Sequence, residues 1–295
     1  MAPTAHPHRP GVFETLKARG FVKTHTDEDA LAAHFDAGPV VYYAGFDPTA
    51  DSLHAGHLLP VMCMSWLQRF GHKPIVVLGG GTGRVGDPTG KDRTRDMLTP
   101  ERIAHNLQCQ KEQISRYLSF EGDNAAIMVD NAEWLMEWGY VDFLREVGRH
   151  FSVNKMLTAE GVKQRLDRNQ GLSFIEFNYH LLQSYDFLHL HREHGCTVQL
   201  GGDDQWFHFL GGIELINVAG ELHHHGAALI GSDLRPQNLG GDVEFNSQPI
   251  GDRLMHRLAR EMQGDAALHA LRPTPNQRNG PFGTGRLWAS VRNPP

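Results

Sequence analysis

His54 and His57 lie three residues apart with Gly56 between them, at the end of the stretch Tyr43-Ala-Gly-Phe-Asp-Pro-Thr-Ala-Asp-Ser-Leu-His-Ala-Gly-His57. The apolar run from Val40 to Ala44 stops at Gly45 and at Asp47-Pro48, and an apolar helical pattern resumes at Leu58. The stretch is therefore predicted to be a strand feeding a loop that opens a helix. Backbone N–H groups at such a helix start have no partner within the helix and carry partial positive charge, so the turn can hold a phosphate. Gly56 leaves out the side chain that would keep a nucleotide away, and two imidazoles on one helical face would point at one phosphate. Read alone, the two histidines could equally be half of a metal site, or ordinary members of a chain that contains nineteen. No Cys or carboxylate stands beside them at ligand spacing, so no metal centre is expected.

Three further stretches bring polar groups together. The loop from Gly79 to Met97 contains a literal G-x-G-x-x-G at Gly81, Gly83 and Gly86, which offers a second class of function, a nucleotide- or NAD-binding Rossmann domain of a dehydrogenase-like protein. A dinucleotide turn needs a helix to begin within it, whereas Asp87-Pro88-Thr89-Gly90 prolongs the loop. A Walker loop fails too, because Asp92 follows Lys91 where Ser or Thr is required. Lys91 and Arg95 are either cations for a phosphate or members of a solvated charged loop. Ser173 to Leu190 reads as a helix on which Tyr179, Gln183 and Asp186, spaced by four and three, share one stripe among Phe177, Leu182 and Phe187. Finally, Thr197 to Leu200 reads as a strand that turns through Gly201-Gly202-Asp203-Asp204-Gln205-Trp206 into a helix to Ile216, at an edge where α/β proteins bind ligands.

Taken together, these stretches resemble the class I aminoacyl-tRNA synthetases, and the bacterial tyrosyl-tRNA synthetases in particular, over about residues 10–216. Gly-Phe-Asp-Pro-Thr-Ala-Asp-Ser-Leu-His-x-Gly-His is similar to their nucleotide-binding signature; Gly-Asp-Pro-Thr-Gly-Lys, Tyr-x-x-x-Gln-x-x-Asp and Gly-Gly-x-Asp-Gln-Trp follow in the family's order. His150-Phe151-Ser152-Val153-Asn154 resembles it as well. The resemblance implies tyrosine and ATP as substrates, with Mg²⁺ accompanying ATP, and tRNA(Tyr) as acceptor. It implies that Tyr43 and Asp186 bind the tyrosine phenol, that Asp87, Tyr179 and Gln183 hold its ammonium, and that Gln205 contacts it further. Thr49, His54 and His57 would donate to the phosphate, Lys91 and Arg95 would face the leaving pyrophosphate, and Gly45, Asp47, Gly56, Gly202 and Asp204 would complete the ATP site. Phe207-His208 stands where the family usually has a small residue and Asn.

The elements that must position these groups are legible in outline. Val12 to Arg19 and Asp27 to Phe35 read as short helices, the second capped by Thr26 or Asp27 and stopped by Gly38. A helix from Leu58 to Phe70 closes at Gly71; Pro74 to Leu78 and Ala126 to Val129 read as strands, and Thr99-Pro100-Glu101 opens a helix to about Leu118. Continuous apolar strands separated by helices predict a Rossmann-like doubly wound parallel sheet. The helical, aromatic region of about 131–170, with Trp134, Trp138, Tyr140 and Phe143, reads as a connective insertion. By the resemblance it supplies a homodimer interface, and without it these are ordinary core aromatics.

At 295 residues and 40% apolar content the chain can bury one large core, and its net charge of −6 argues against binding nucleic acid through overall basicity. Three scattered cysteines, Cys63, Cys109 and Cys196, predict reduced thiols in a cytoplasmic protein, and no run is long enough for a membrane span. The resemblance stops at about residue 216, dividing the chain into a catalytic domain, 1–216, and a non-matching tail, 217–295. The family's second signature, Lys-Met-Ser-Lys-Ser, and its tRNA-recognition domains have no counterpart there, and no lysine follows Lys163. One helix, roughly Asp252 to Leu271, is expected in the tail. An abrupt loss of match of this kind is what a truncated or frame-shifted gene product would give, and it predicts weak activity or a catalytically dead tyrosine-binding protein.

Overall fold

The apolar runs of the sequence become the strands of one parallel sheet, β2 (Val41–Phe46), β3 (Lys73–Leu78), β4 (Ile127–Asp130) and β5 (Val198–Leu200), in the order β4-β3-β2-β5. The computed structural model describes residues 7–86, 98–169, 171–219 and 228–230. Val41 pairs with Lys73 and the register holds to Phe46 with Leu78. Both faces of the sheet are covered, which is why its strands do not alternate polar with apolar. Tyr42 is 0% and Tyr43 2% exposed although they point to opposite sides. On one side the Tyr42 hydroxyl donates to the Met64 carbonyl of α3 (Ala55–Arg69), and on the other the Tyr43 ring packs 5.4 Å from Phe187 of α9 (Phe174–His194). The doubly wound α/β fold is thus present, with α5 (Ala132–Leu135), α6 (Tyr140–Glu146), α7 (Val153–Met156) and α8 (Glu160–Asp167) inserted between β4 and α9.

The strand order fixes where a ligand can sit. The chain steps outward from β2 to β3 to β4, then returns to lay β5 against the other edge of β2. That reversal opens a crevice between the carboxyl ends of β2 and β5, the usual binding place in an open α/β sheet.

Several boundaries differ from the sequence reading. β2 runs through Gly45, which pairs with Val77, because ladder pairing to β3 outweighs the local preference of glycine for a turn. α3 begins at Ala55, three residues before Leu58, with His54 as its N-cap rather than as a member of its first turn. It closes at Gly71, whose φ of 91° suits glycine. α4 (Pro100–Ile114) stops short of Leu118, and α9 continues past Leu190 to His194 before Gly195 takes a φ of 63°. α1 (Val12–Ala18) and α2 (Glu28–Ala37) form as read, with the Asp27 carboxylate accepting from the Ala30 N–H. A two-stranded antiparallel ribbon, β1 (Val22–His25) with β6 (Ala228–Ile230), went unforeseen because its strands are short, and the β1 sequence Val-Lys-Thr-His has little apolar signal. The expected helix at 252–271 lies outside the described residues.

α9 carries much of the site, and its start is held by a buried ion pair. Ser173 and Glu176 form a reciprocal capping box, and Arg165 of α8 donates through Nη1 to Glu176 Oε1 at 3.1 Å and through Nη2 to the Gly171 carbonyl. Burial works to raise the Glu176 pKa, but hydrogen bonds from Ser173 and Arg165 hold it below the ordinary value. Arg165 and Glu176 are each 5% exposed. Arg165→Met should therefore strand a buried carboxylate and lower stability by about 3–5 kcal/mol, whereas the double replacement of Arg165 and Glu176 by Met should recover most of that loss. Urea midpoints of the two variants check this, and equal losses in both would contradict it.

Candidate active site

A cavity of about 470 Å³ opens at the carboxyl ends of β2 and β5. Asp47, just after β2, accepts at Oδ1 from the Thr82 hydroxyl (2.7 Å) and at Oδ2 from the Tyr179 hydroxyl of α9 (2.9 Å). Thr82 accepts from Asn131 Nδ2 (3.0 Å), and the same amide nitrogen donates to Asp186 Oδ2 (3.0 Å). Asp186 also accepts from the Trp134 indole N–H at 2.7 Å. One hydrogen-bonded chain, Tyr179–Asp47–Thr82–Asn131–Asp186–Trp134, thus runs beside the cavity and joins four elements.

The loop that bears Thr49 is held from outside by α4. Asn106 Nδ2 donates to the Pro48 carbonyl (2.8 Å), Gln110 Nε2 to that of Asp47 (3.1 Å) and Gln113 Nε2 to that of Asp51 (3.0 Å). Side-chain amides replace the ladder this irregular segment lacks, so the loop is fixed although it has no regular structure.

Burial sets the electrostatics of the cavity floor. It pushes the Asp186 pKa up to about 7, against the Asn131 and Trp134 hydrogen bonds and with the charges of Asp47 and Asp130. Tyr43 is raised well above its ordinary value by burial and by the neighbouring Asp186 and Cys196. The Tyr43 hydroxyl, Gln183 Oε1 and Gln199 Oε1 are buried and have no hydrogen-bond partner among the described residues. Buried polar atoms are rarely left so, and three around one cavity mark where a polar ligand would repay their desolvation.

The other end of the cavity is the start of α3. The His54 Nδ1 accepts from the His57 N–H (3.3 Å), and the two rings stack at 3.6 Å. Gly56 leaves the ring room, since a Cβ there would lie 3.0 Å from His54 Cε1 and Nδ1 and press on it. Opposite, a short 3-10 turn, Asp203–Gln205, leads into α10 (Trp206–Val218), and Gln205 Nε2 donates to Asp204 Oδ2 (3.2 Å).

Tyr43, Gly45, Asp47, Thr49, His54, Gly56, His57, Tyr179, Gln183, Asp186, Gly202, Asp204 and Gln205 all line this one cavity. Asp87, Lys91 and Arg95 lie outside the described residues. Sequence reading missed Thr82, Asn131, Trp134 and Gln199. Only Gln199 left a signal, as a glutamine between Val198 and Leu200 in a buried strand. The glycine-rich turn does not offer an open cradle to a dinucleotide. Its N–H groups are consumed internally, Gly80 by Asp130, Gly81 and Thr82 by Asn131 Oδ1, and Gly83 by the Gly79 carbonyl. Among the described residues no three His, Cys, Asp or Glu side chains converge as a metal cluster.

The family model described as tRNA synthetases class I (W and Y) matches residues 36–234, thus extending eighteen residues beyond residue 216. The tyrosine–tRNA ligase of Acetivibrio thermocellus is 57% identical over 205 residues, which are 70% of this chain and 50% of the relative. That of Clostridium kluyveri is 56% identical with the same coverage. A C-terminally truncated mitochondrial tyrosyl-tRNA synthetase of Aspergillus nidulans superposes with a TM-score of 0.69 at 29% identity, covering 77% of this chain and 70% of that one. The chain spans about half the length of the curated relatives it matches.

Asp186 makes stability depend on pH. Its folded pKa of about 7 lies above the ordinary 3.8, so the folded state holds a proton that the unfolded chain has already lost, and stability falls as pH rises from about 4 to 7. Asp186→Asn removes this dependence. Denaturant titrations across that range should show the variant gaining stability relative to the unsubstituted chain as pH increases; parallel curves would contradict the assignment.

Proposed function

The chain belongs to the class I tRNA synthetases of the W and Y kind, and from that membership we propose that it is the catalytic part of a tyrosine–tRNA ligase. It takes L-tyrosine and ATP to tyrosyl-adenylate and pyrophosphate, and the tyrosyl group then passes from the adenylate to a tRNA(Tyr) hydroxyl as AMP leaves. The observation that carries the tyrosine reading is the cavity floor, where the unpartnered Tyr43 hydroxyl lies near the buried Asp186 carboxyl. A phenol there can pair the Tyr43 hydroxyl, which a plain ring would leave desolvated at a cost of about 1–3 kcal/mol. The dehydrogenase-like alternative has no such support, because the amides of its glycine turn are already bonded.

In activation the tyrosine carboxylate attacks the α-phosphorus in line, the new C–O–P bond forms as the bond to the β-phosphate oxygen breaks, and the electron pair leaves with pyrophosphate. No proton need move and no covalent enzyme intermediate is required, so the protein acts by positioning and by stabilising developing charge. Tyr179, Gln183 and Asp87 hold the ammonium, and Gln205 adds a contact to tyrosine. Thr49, His54 and His57 donate to the phosphoryl oxygens, Lys91 and Arg95 face the leaving group, and Gly45, Asp47, Gly56, Gly202 and Asp204 shape the ATP site. Mg²⁺ enters with the ATP phosphates as part of that substrate and keeps several of its own waters. A homodimer through the 131–170 region is part of this reading, supported by the exposed Met136, Tyr140, Val141 and Val153. Three free thiols agree with a cytoplasmic setting, and no helix among the described residues is long and apolar enough to cross a membrane.

Two measurements test the proposal. His54→Ala should leave tyrosine affinity unchanged and slow adenylate formation by about 10²–10³; unchanged adenylate formation would remove His54 from the role. Calorimetry should show L-tyrosine bound at least about tenfold more tightly than L-phenylalanine. Equal affinity for the two amino acids would refute the pocket assignment.

A further inference from the structure

Two histidines that the chemistry above does not use are buried together behind Tyr179. His180 of α9 and His208 of α10, each 6% exposed, meet with their Nδ1 atoms 3.0 Å apart. Two neutral imidazoles can make that bond only if one Nδ1 carries its proton and the other does not, so the pair fixes both tautomers. Burial, aided by His208 and Lys155, pushes the His180 pKa down to about 2, which keeps it uncharged. The His180 ring is stacked on Phe207 at 4.2 Å and meets Phe151 edge-on at 5.2 Å. Its space is made by Gly211, where a Cβ would lie 2.4 Å from His180 Cε1 and 2.5 Å from Ser184 Oγ. The imidazole of His180 is therefore fitted into the contact between α9 and α10.

The partner ring completes a path to the cavity. Although neither histidine lines that cavity, His208 packs edge-to-face on Tyr179 with centroids 5.6 Å apart and planes at 65°. Tyr179 in turn donates to Asp47 at 2.9 Å, across the cavity wall. A tyrosine on a helix has two soft torsions, and a hydroxyl bond at its tip does not fix the ring by itself. A ring edge clamped from behind does so, provided it is itself anchored.

We propose that the His180–His208 pair is a positioning device for the amino-acid site, anchoring the ring that holds Tyr179 against Asp47. This inference rests on the tyrosine reading above and assigns the pair no contact with substrate. His208→Ala should then weaken L-tyrosine binding by about tenfold, a coupling within the range seen for residues in contact, with a smaller loss of ATP affinity because Asp47 also belongs to the ATP site.

The test is a double-mutant cycle by calorimetry on the full chain, with His208→Ala, Tyr179→Phe and their combination, and thermal unfolding measured in parallel. If His208 acts through the Tyr179 hydroxyl, removing that hydroxyl first leaves His208→Ala with no further effect on tyrosine affinity. Additive losses, or an equal loss of ATP affinity, would show a merely structural pair and overturn the inference. Should the alanine variant fail to fold, the same cycle is run with His208→Asn, which keeps a hydrogen-bonding side chain beside His180 and lacks the ring edge; wild-type affinity in that variant would also overturn it. Absence of tyrosine binding by the unsubstituted chain would remove the tyrosine reading and this inference together, whereas binding with an additive cycle would remove this inference alone.

Discussion

The amide of Asn131 is the interaction on which the candidate site depends. Its oxygen accepts from the Gly81 and Thr82 N–H groups, at 2.8 and 3.3 Å, and its nitrogen donates to the Thr82 hydroxyl and the Asp186 carboxylate. An amide side chain is suited to this, since it alone offers two donors and an acceptor on one planar group. Asn131 follows the last residue of β4, Asp130, so it joins the sheet edge to the glycine turn and to α9. The glycine turn is closed by this bonding, and Asp186 can be buried with both oxygens satisfied. In a low-dielectric interior such a network is either complete or costly, which makes its geometry strict.

That strictness explains why the cavity can carry unpartnered groups elsewhere. Tyr43 on β2, Gln199 on β5 and Gln183 on α9 sit on elements packed into one core, and the Tyr43 hydroxyl and both Oε1 atoms stay unpartnered among the described residues. α9 is held at its start by Arg165 and Glu176 and along its length by α10, whose Gly211 and Gly212 let it come close: a Cβ at Gly212 would lie 2.9 Å from Phe187. The cost of desolvating these polar groups is borne by apolar packing around them, a common arrangement for a site built before its ligand arrives.

The departure of Phe207-His208 from the small residue and Asn usual in the family has a local physical explanation. The two side chains would crowd an ordinary helix contact, and here they are accommodated by His180 stacking on Phe207 and bonding to His208. The compensation spans 28 residues of sequence and two helices.

What the sequence determined by itself was whatever rests on local period and local chemistry. Apolar runs at 40–44, 74–78 and 197–200 required a sheet covered on both faces, Thr99, Thr26-Asp27 and Ser173 announced helix starts, and the spacing of Tyr179, Gln183 and Asp186 placed them on one stripe whatever surrounded it. The four stretches that resemble one enzyme family also named most of the residues that line the cavity. Tertiary structure alone decided the rest. Gly45 could be a strand residue because β3 lay beside it, and Trp134, a ring of the core, could also be a hydrogen-bond donor because Asp186 came to meet it. Asn131, Thr82, His180 and His208 carry no local signature, since their partners lie between 28 and 55 residues away. Periodicity reports which face of an element is buried; it carries no information about which polar group on another element will be waiting there.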